Sequence, residues 1–156
     1  MSAGARMLLD PEARPVIGHR GAAAFAPENT LVGFERATAF GADAFELDVH
    51  VTADDQPVVL HDPTLDRTTD RRGPVAALRY DAIRDADAGA RFTTDGGVTF
   101  PFSGRGVRIP LLADVLGMFP DTPLIVEIKA VAAAPAVKRV VARSGAIDRC
   151  IVASFD

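Results

Sequence analysis

From Pro15 onward, short apolar runs ending in polar residues alternate with stretches of helical character, and this repetition constrains the chain more than any single motif. Such alternation marks strands and helices wound about a parallel sheet, an α/β fold. The runs read as strands are Val16 to Gly18, Ala44 to Val51, Val58 to His61, Leu124 to Ile128 and Ile151 to Ser154. A first helix is expected after Asn29 or Thr30, either of which can cap it, running through Leu31, Phe34 and Ala37 to a stop at Gly41. A second lies near Tyr80 to Asp85. A third covers Leu111 to Phe119, with Leu112, Val115, Leu116 and Phe119 on its buried face, and a fourth runs from Ala136 to Arg143 and stops at Gly145. The long excursion between His61 and Leu124 is rich in breakers such as Gly96-Gly97 and Gly104-Arg105-Gly106, and connections of that kind are usually functional. No repeat, low-complexity tract or linker divides the chain.

The most informative strand is Phe45-Glu46-Leu47-Asp48-Val49, where alternation sends Glu46 and Asp48 to one face and the apolar residues to the other. Parallel strands are normally covered on both faces, so two like charges held together there are costly unless a cation neutralises them. A third acid, Glu127, interrupts the apolar run Leu124-Ile125-Val126-Glu127-Ile128. A salt bridge to Lys129 would explain Glu127 alone, but its coincidence with the other pair favours a metal. Three oxygen ligands without cysteine suit one hard divalent cation, Mg²⁺, Ca²⁺ or Mn²⁺, better than zinc.

His19 and His61 each follow an apolar run, at the strand ends where ligand sites of parallel α/β folds collect. One histidine there would more often be structural; two at equivalent ends favour proton transfer. Asp62 can either orient His61 or cap the following turn. His50 shares the face of Glu46 and Asp48 but is expected on a solvated rim at the strand's exit, outside the site. Arg20 and Lys129 are the candidates for gripping an anionic substrate, Arg20 by bidentate bonds to phosphate oxygens and Lys129 as a point charge.

Composition narrows the partners. A net charge of -4 with scattered arginines gives no basic stripe for nucleic acid. The single cysteine, Cys150, cannot form an internal disulfide, and Met1 to Pro15 lacks the apolar run of a signal peptide or anchor, so a cytoplasmic protein without stable membrane insertion is expected. Serine-elbow, HExxH, Walker and GxGxxG patterns are all missing.

Taken in order, His19-Arg20-Gly21, Glu28-Asn29-Thr30, Glu46-Leu47-Asp48-Val49, His61-Asp62 and Glu127-Ile128-Lys129 resemble the successive motifs of the glycerophosphodiester phosphodiesterase family. The stretch from Pro63 to Thr69 with Gly73, Ile109-Pro110-Leu111-Leu112 and Ser154-Phe155-Asp156 are similar to it too. Leu111 and Asp114 stand where the family usually has Thr and Glu, away from the expected chemistry. The resemblance implies a TIM-type (β/α)8 barrel, here truncated after about the fifth strand, with residues 1–14 an extension and 15–156 a partial domain. It also implies Glu46, Asp48 and Glu127 as metal ligands, and His19 and His61 as the acid/base pair. The reaction implied is hydrolysis of small glycerophosphodiesters to glycerol 3-phosphate and an alcohol. Either water or the glycerol 2-hydroxyl can serve as attacker. The alternatives are a phospholipase D-like or phosphoinositide phospholipase C-like lipid phosphodiesterase, or a non-catalytic phosphate- or metal-binding fragment. An eight-stranded barrel cannot close from so few strands, so self-association through the open edge is expected.

Overall fold

The apolar run at Ala44–Val51 forms β2, the strand around which the sheet is assembled in the computed structural model of the chain, which describes residues 2–155. The other strands are β1 (Ile17–His19), β3 (Pro57–Val59), β4 (Leu124–Ile128) and β5 (Cys150–Ala153). The order β1-β2-β4-β5 is parallel throughout, while β3 pairs with β2 alone. β2 and β4 have the expected bounds; β1 and β5 are displaced by a residue from theirs.

The run at Val58 to His61 is not a parallel strand. β3 is antiparallel to β2, with Val59 opposite Val49 and Pro57 opposite Val51. The reason lies in the connection: a turn closed by Thr52 N–H donating to the Gln56 carbonyl at 3.1 Å, with Asp55 at φ 61°, joins the two strands. A parallel return needs a crossover of a dozen or more residues, which this turn cannot provide. β1 occupies the first part of one edge of β2, at Ala44 to Glu46, and β3 occupies the last part, at Val49 to Val51. The two strands therefore approach each other end to end along that edge. Arg20 N–H donates to the Glu46 carbonyl at 3.0 Å and Leu60 N–H to the Asp48 carbonyl at 3.0 Å.

The helices are α1 (Ala3–Met7), α2 (Leu31–Ala39), α3 (Tyr80–Ile83), α4 (Leu112–Met118) and α5 (Ala134–Arg143). Thr30, not Asn29, caps α2: its hydroxyl oxygen accepts from Gly33 N–H at 3.2 Å. Phe40 ends the helix, with Gly41 at φ 81° beyond it. α1 had no counterpart in the sequence reading; its Ser2 hydroxyl accepts from Ala5 N–H at 3.2 Å, and Ala5 is buried.

Phe45, Leu47 and Val49 from β2 and Leu124, Val126 and Ile128 from β4 pack under α2, α4 and α5 through Phe34, Leu112, Val115, Leu116, Val137 and Val141. At the centre Phe45 stands 5.1 Å from both Phe34 and Phe119, edge-on to the latter. The alternate residues of β2, Glu46, Asp48 and His50, are left on the opposite face. The excursion has a second apolar cluster of Val58, Leu60, Leu65, Val75, Ile83 and Ile109. It leaves after β3 and returns beside it, with Val59 N–H donating to the Pro110 carbonyl at 2.9 Å. The sheet does not close: β1 and β5 are both edges.

Phe45→Ala is expected to destabilise the chain by about 3–5 kcal/mol, because it opens a cavity where a fully buried ring packs against two aromatic neighbours. Urea unfolding measures the difference.

Candidate active site

The parallel register of β1, β2 and β4 sets the site. His19 lies opposite Glu46 and Asp48 opposite Glu127, so four titratable residues fall on neighbouring positions of three strands. Ligand oxygens of Glu46, Asp48 and Glu127 all come within 4.8 Å of one another. Asp48 is 1% exposed, the most deeply buried of the three.

Each partner of Asp48 comes from a different element. Asn29 Nδ2 donates to Oδ2 at 2.7 Å, and Asp48 N–H donates to Asn29 Oδ1 at 3.3 Å. Arg20 Nε lies 3.2 Å from Oδ2 and Lys129 Nζ 3.0 Å from Oδ1. These two charges are close but not aligned as hydrogen bonds, which leaves Arg20 Nε and Asp48 Oδ1 buried and unsatisfied. Lys129 also donates to Glu127, as the simpler reading of that acid anticipates. Burial lowers the Lys129 pKa, but its hydrogen bond to Glu127 and the negative charges of Asp48 and Glu127 outweigh that and hold the ammonium charged above its ordinary range.

Burial pushes the Glu46 carboxyl up, and the charges of Asp48 and Glu127 add to this, against the Arg20 N–H and the His19 ring that favour the anion. Like charges crowded together around an acceptor with no aligned donor are the setting in which a hard divalent cation fits. The donor set is all oxygen, as Mg²⁺, Ca²⁺ or Mn²⁺ prefers.

The β1–α2 loop delivers Arg20, Glu28 and Asn29, and its path depends on close backbone approach. A side chain on Gly21, at φ 82°, would meet the Gly33 carbonyl carbon at 2.7 Å. Asn29 also adopts positive φ, 56°, which asparagine tolerates better than most residues. The histidines arrive from opposite directions. His19, at the end of β1, is exposed and holds Nε2 3.7 Å from Glu46 Oε2. His61, just beyond β3, is turned by Asp62, whose Oδ1 lies 2.7 Å from Nδ1; the orienting role of Asp62 is the one the geometry contains.

His50 is not on a solvated rim. It is 7% exposed, and its Nε2 lies 3.0 Å from the His61 carbonyl oxygen. β2 runs one residue past it to Val51, and the chain returning through β3 covers it, so the antiparallel turn that sequence reading missed also buries this ring. Burial lowers its pKa below the ordinary histidine value. Glu28, Asn29 and Arg67 also belong to the site's surroundings and had been assigned no role beyond a helix cap. Arg67 bonds both Asp62 and Glu28, and Glu28 accepts from Arg20 Nη1 at 3.1 Å. The signal available for them was their place in the stretches Glu28-Asn29-Thr30 and Pro63 to Thr69, which resemble the family's, and it carries no indication that the two loops meet.

A parallel α/β sheet that gathers carboxylates, cations and histidines at the C-terminal ends of its strands has the plan of a TIM-type barrel. The chain belongs to the glycerophosphoryl diester phosphodiesterase family, which it matches over residues 19–154. It is 42% identical over 114 residues to a glycerophosphodiester phosphodiesterase of Caldanaerobacter subterraneus subsp. tengcongensis, covering 73% of this chain and 44% of the relative. The crystal structure of the glycerophosphoryl diester phosphodiesterase domain of a Mycobacterium tuberculosis protein superposes with TM-score 0.85 at 33% identity, over 91% of this chain and 53% of that one. A phosphodiesterase of Oleispira antarctica, solved in complex with the product sn-glycerol-3-phosphate, matches with TM-score 0.78 at 27% identity, over 92% of this chain and 58% of that one. The chain thus spans about half the length of these relatives.

Opposite stability effects are expected from two neighbouring carboxylates. In EDTA, Glu46→Gln should raise the melting temperature by relieving repulsion, whereas Asp48→Asn should lower it by leaving Arg20 and Lys129 without their buried counter-charge. Mg²⁺, Ca²⁺ or Mn²⁺ is expected to stabilise the unaltered chain, and both substitutions, like Glu127→Gln, should abolish that gain. Differential scanning fluorimetry with and without each metal checks all three.

Proposed function

We propose that this chain carries the site of a metal-dependent phosphodiester hydrolase that cleaves glycerophosphodiesters to glycerol 3-phosphate and an alcohol. The observation that carries the proposal is the convergence of Glu46, Asp48 and Glu127 beside Arg20, Lys129 and His19, within a chain of this family. The product named for the Oleispira antarctica relative supports the choice of substrate. In this reading residues 15–156 form part of the family's domain and residues 1–14 an extension. No helix among the described residues is long and apolar enough to cross a membrane; a cytoplasmic setting is proposed from that and from the lone thiol.

Glu46, Asp48 and Glu127 would hold the cation. Bound there, it supplies positive charge that polarises a phosphoryl oxygen and offsets the negative charge of the transition state. Arg20 and Lys129 grip the non-bridging oxygens, adding donors fixed before the substrate arrives. Of His19 and His61, one takes the proton of the attacking oxygen and the other protonates the leaving alkoxide. His50 braces His61 through its backbone carbonyl and does not touch substrate.

A lipid phosphodiester is the second reading, favoured by Val98 and Phe100, which stand exposed on the excursion. Glycerophosphocholine, glycerophosphoethanolamine and lysophosphatidylcholine, each with Mg²⁺, Ca²⁺ or EDTA, separate the two. Metal-dependent release of glycerol 3-phosphate supports the first reading, release of choline from the lysolipid alone supports the second, and no release from any leaves a binding fragment. His19→Ala and His61→Ala should each lower turnover by at least about a hundredfold, and His50→Ala by clearly less.

The edge of β5, with Val152 and Ile147 exposed beside it, is further proposed to draw copies of this chain together. Light scattering should show species larger than a monomer; a monodisperse monomer would reject this.

A further inference from the structure

Arg67 projects from the start of the excursion and makes two forked contacts at once. Nε donates to Asp62 Oδ2 at 2.8 Å and Nη2 to Asp62 Oδ1 at 2.9 Å. On its other side Nη1 donates to Glu28 Oε2 at 2.8 Å and Nη2 to Glu28 Oε1 at 2.7 Å. An exposed arginine paired with one acid would be an ordinary surface ion pair worth little. Here both acids have second partners in the site. Asp62 Oδ1 also lies 2.7 Å from His61 Nδ1, and Glu28 Oε1 also accepts from Arg20 Nη1 at 3.1 Å.

We propose that Arg67 is a positioning residue: its guanidinium clamps Asp62 and Glu28 in fixed planes, which locks His61 in the Nδ1–H tautomer and couples that ring to the phosphate-gripping Arg20. The importance of His61 to turnover rests on the function proposed above; the clamp itself does not.

Two bonds from a planar donor fix the Asp62 carboxylate in orientation as well as in place. Arg67's bonds to Asp62, and His61 beyond them, hold that carboxyl well below the usual range. Burial raises Glu28, but the bonds and charges of Arg67 and Arg20 outweigh it and keep it low. Both groups are thus ionised near neutral pH and can only accept. An acceptor held against Nδ1 requires the proton there and leaves the lone pair on Nε2. Among the described residues nothing hydrogen-bonds His61 Nε2, so that nitrogen is available to a reactant. Lysine at position 67 would keep the charge but could not bond both oxygens of both acids in one plane.

The test is the tautomer, read from the imidazole nitrogen shifts of ¹⁵N-histidine-labelled protein at pH 8, with His61 signals assigned by His61→Gln. The unaltered chain should show His61 with Nδ1 protonated and Nε2 bare. Arg67→Met and Arg67→Lys should lose that preference and give a mixture of tautomers, with the far-UV circular dichroism unchanged. Glu28→Gln, which weakens Arg67's fork to Glu28 and the link to Arg20 but leaves both bonds to Asp62, should keep the His61 tautomer. The proposal is overturned if either folded Arg67 variant retains the pure Nδ1–H form, or if neither variant folds, since Arg67 would then serve stability alone. Because no turnover is measured, these outcomes stand apart from whether the chain hydrolyses glycerophosphodiesters.

Discussion

The buried carboxylate of Asp48 is the constraint on which the rest of the site depends. A charge at 1% exposure in the middle of a sheet is tolerable only if its surroundings supply compensating charge and donors. Those come from two places far apart in the chain: the β1–α2 loop gives Arg20 and Asn29, and β4 leads into Lys129, while the chain after β3 pairs Leu60 N–H with the Asp48 backbone carbonyl. Satisfying one residue, side chain and backbone together, thus fixes the relative positions of three segments. β2 is able to hold it because its other face is apolar throughout, with Phe45, Leu47 and Val49 fully buried beneath the helices. One strand anchors the core with alternate residues and the chemistry with the rest.

Much of this was legible in the sequence because period-two alternation is a strong signal when acids interrupt it. The bounds of β2 and β4 and the face shared by Glu46 and Asp48 follow from it directly, and the register of Asp48 with Glu127 then brings the third acid across. Strand direction was less legible. The run at Val58 reads as apolar in either orientation, and only the brevity of the link from Thr52 to Gln56 reveals that it must fold back. That error carried over to His50, whose burial is created by the returning strand. Glu28 and Arg67 were illegible for another reason: they meet across thirty-nine positions of sequence, and no periodicity encodes a contact between two loops.

The excursion illustrates the same limit. Its turn-rich composition suggests an irregular connection, yet Leu65, Val75, Ile83 and Ile109 form a cluster of their own with Val58 and Leu60. Those two residues alternate with Val59, which faces the main core, so the short β3 lies between two hydrophobic clusters. Val58 and Val59 are thus packed on opposite sides just before the chain reaches His61.

The excursion leaves and returns at almost one point, since Val59 is bonded to Pro110 and Val58 is bridged to Leu111. Such a closure isolates its interior length from the spacing of the site. Residues can be gained or lost in the exposed turns around Val98 and Phe100, outside the excursion's apolar cluster, without moving His61 relative to Asp48, because β3 is registered against β2 before the excursion departs. The sheet and the excursion are therefore free to diverge at different rates: the first is bound by charge compensation, while the second is bound by its own apolar cluster, a modular division of labour within one continuous chain.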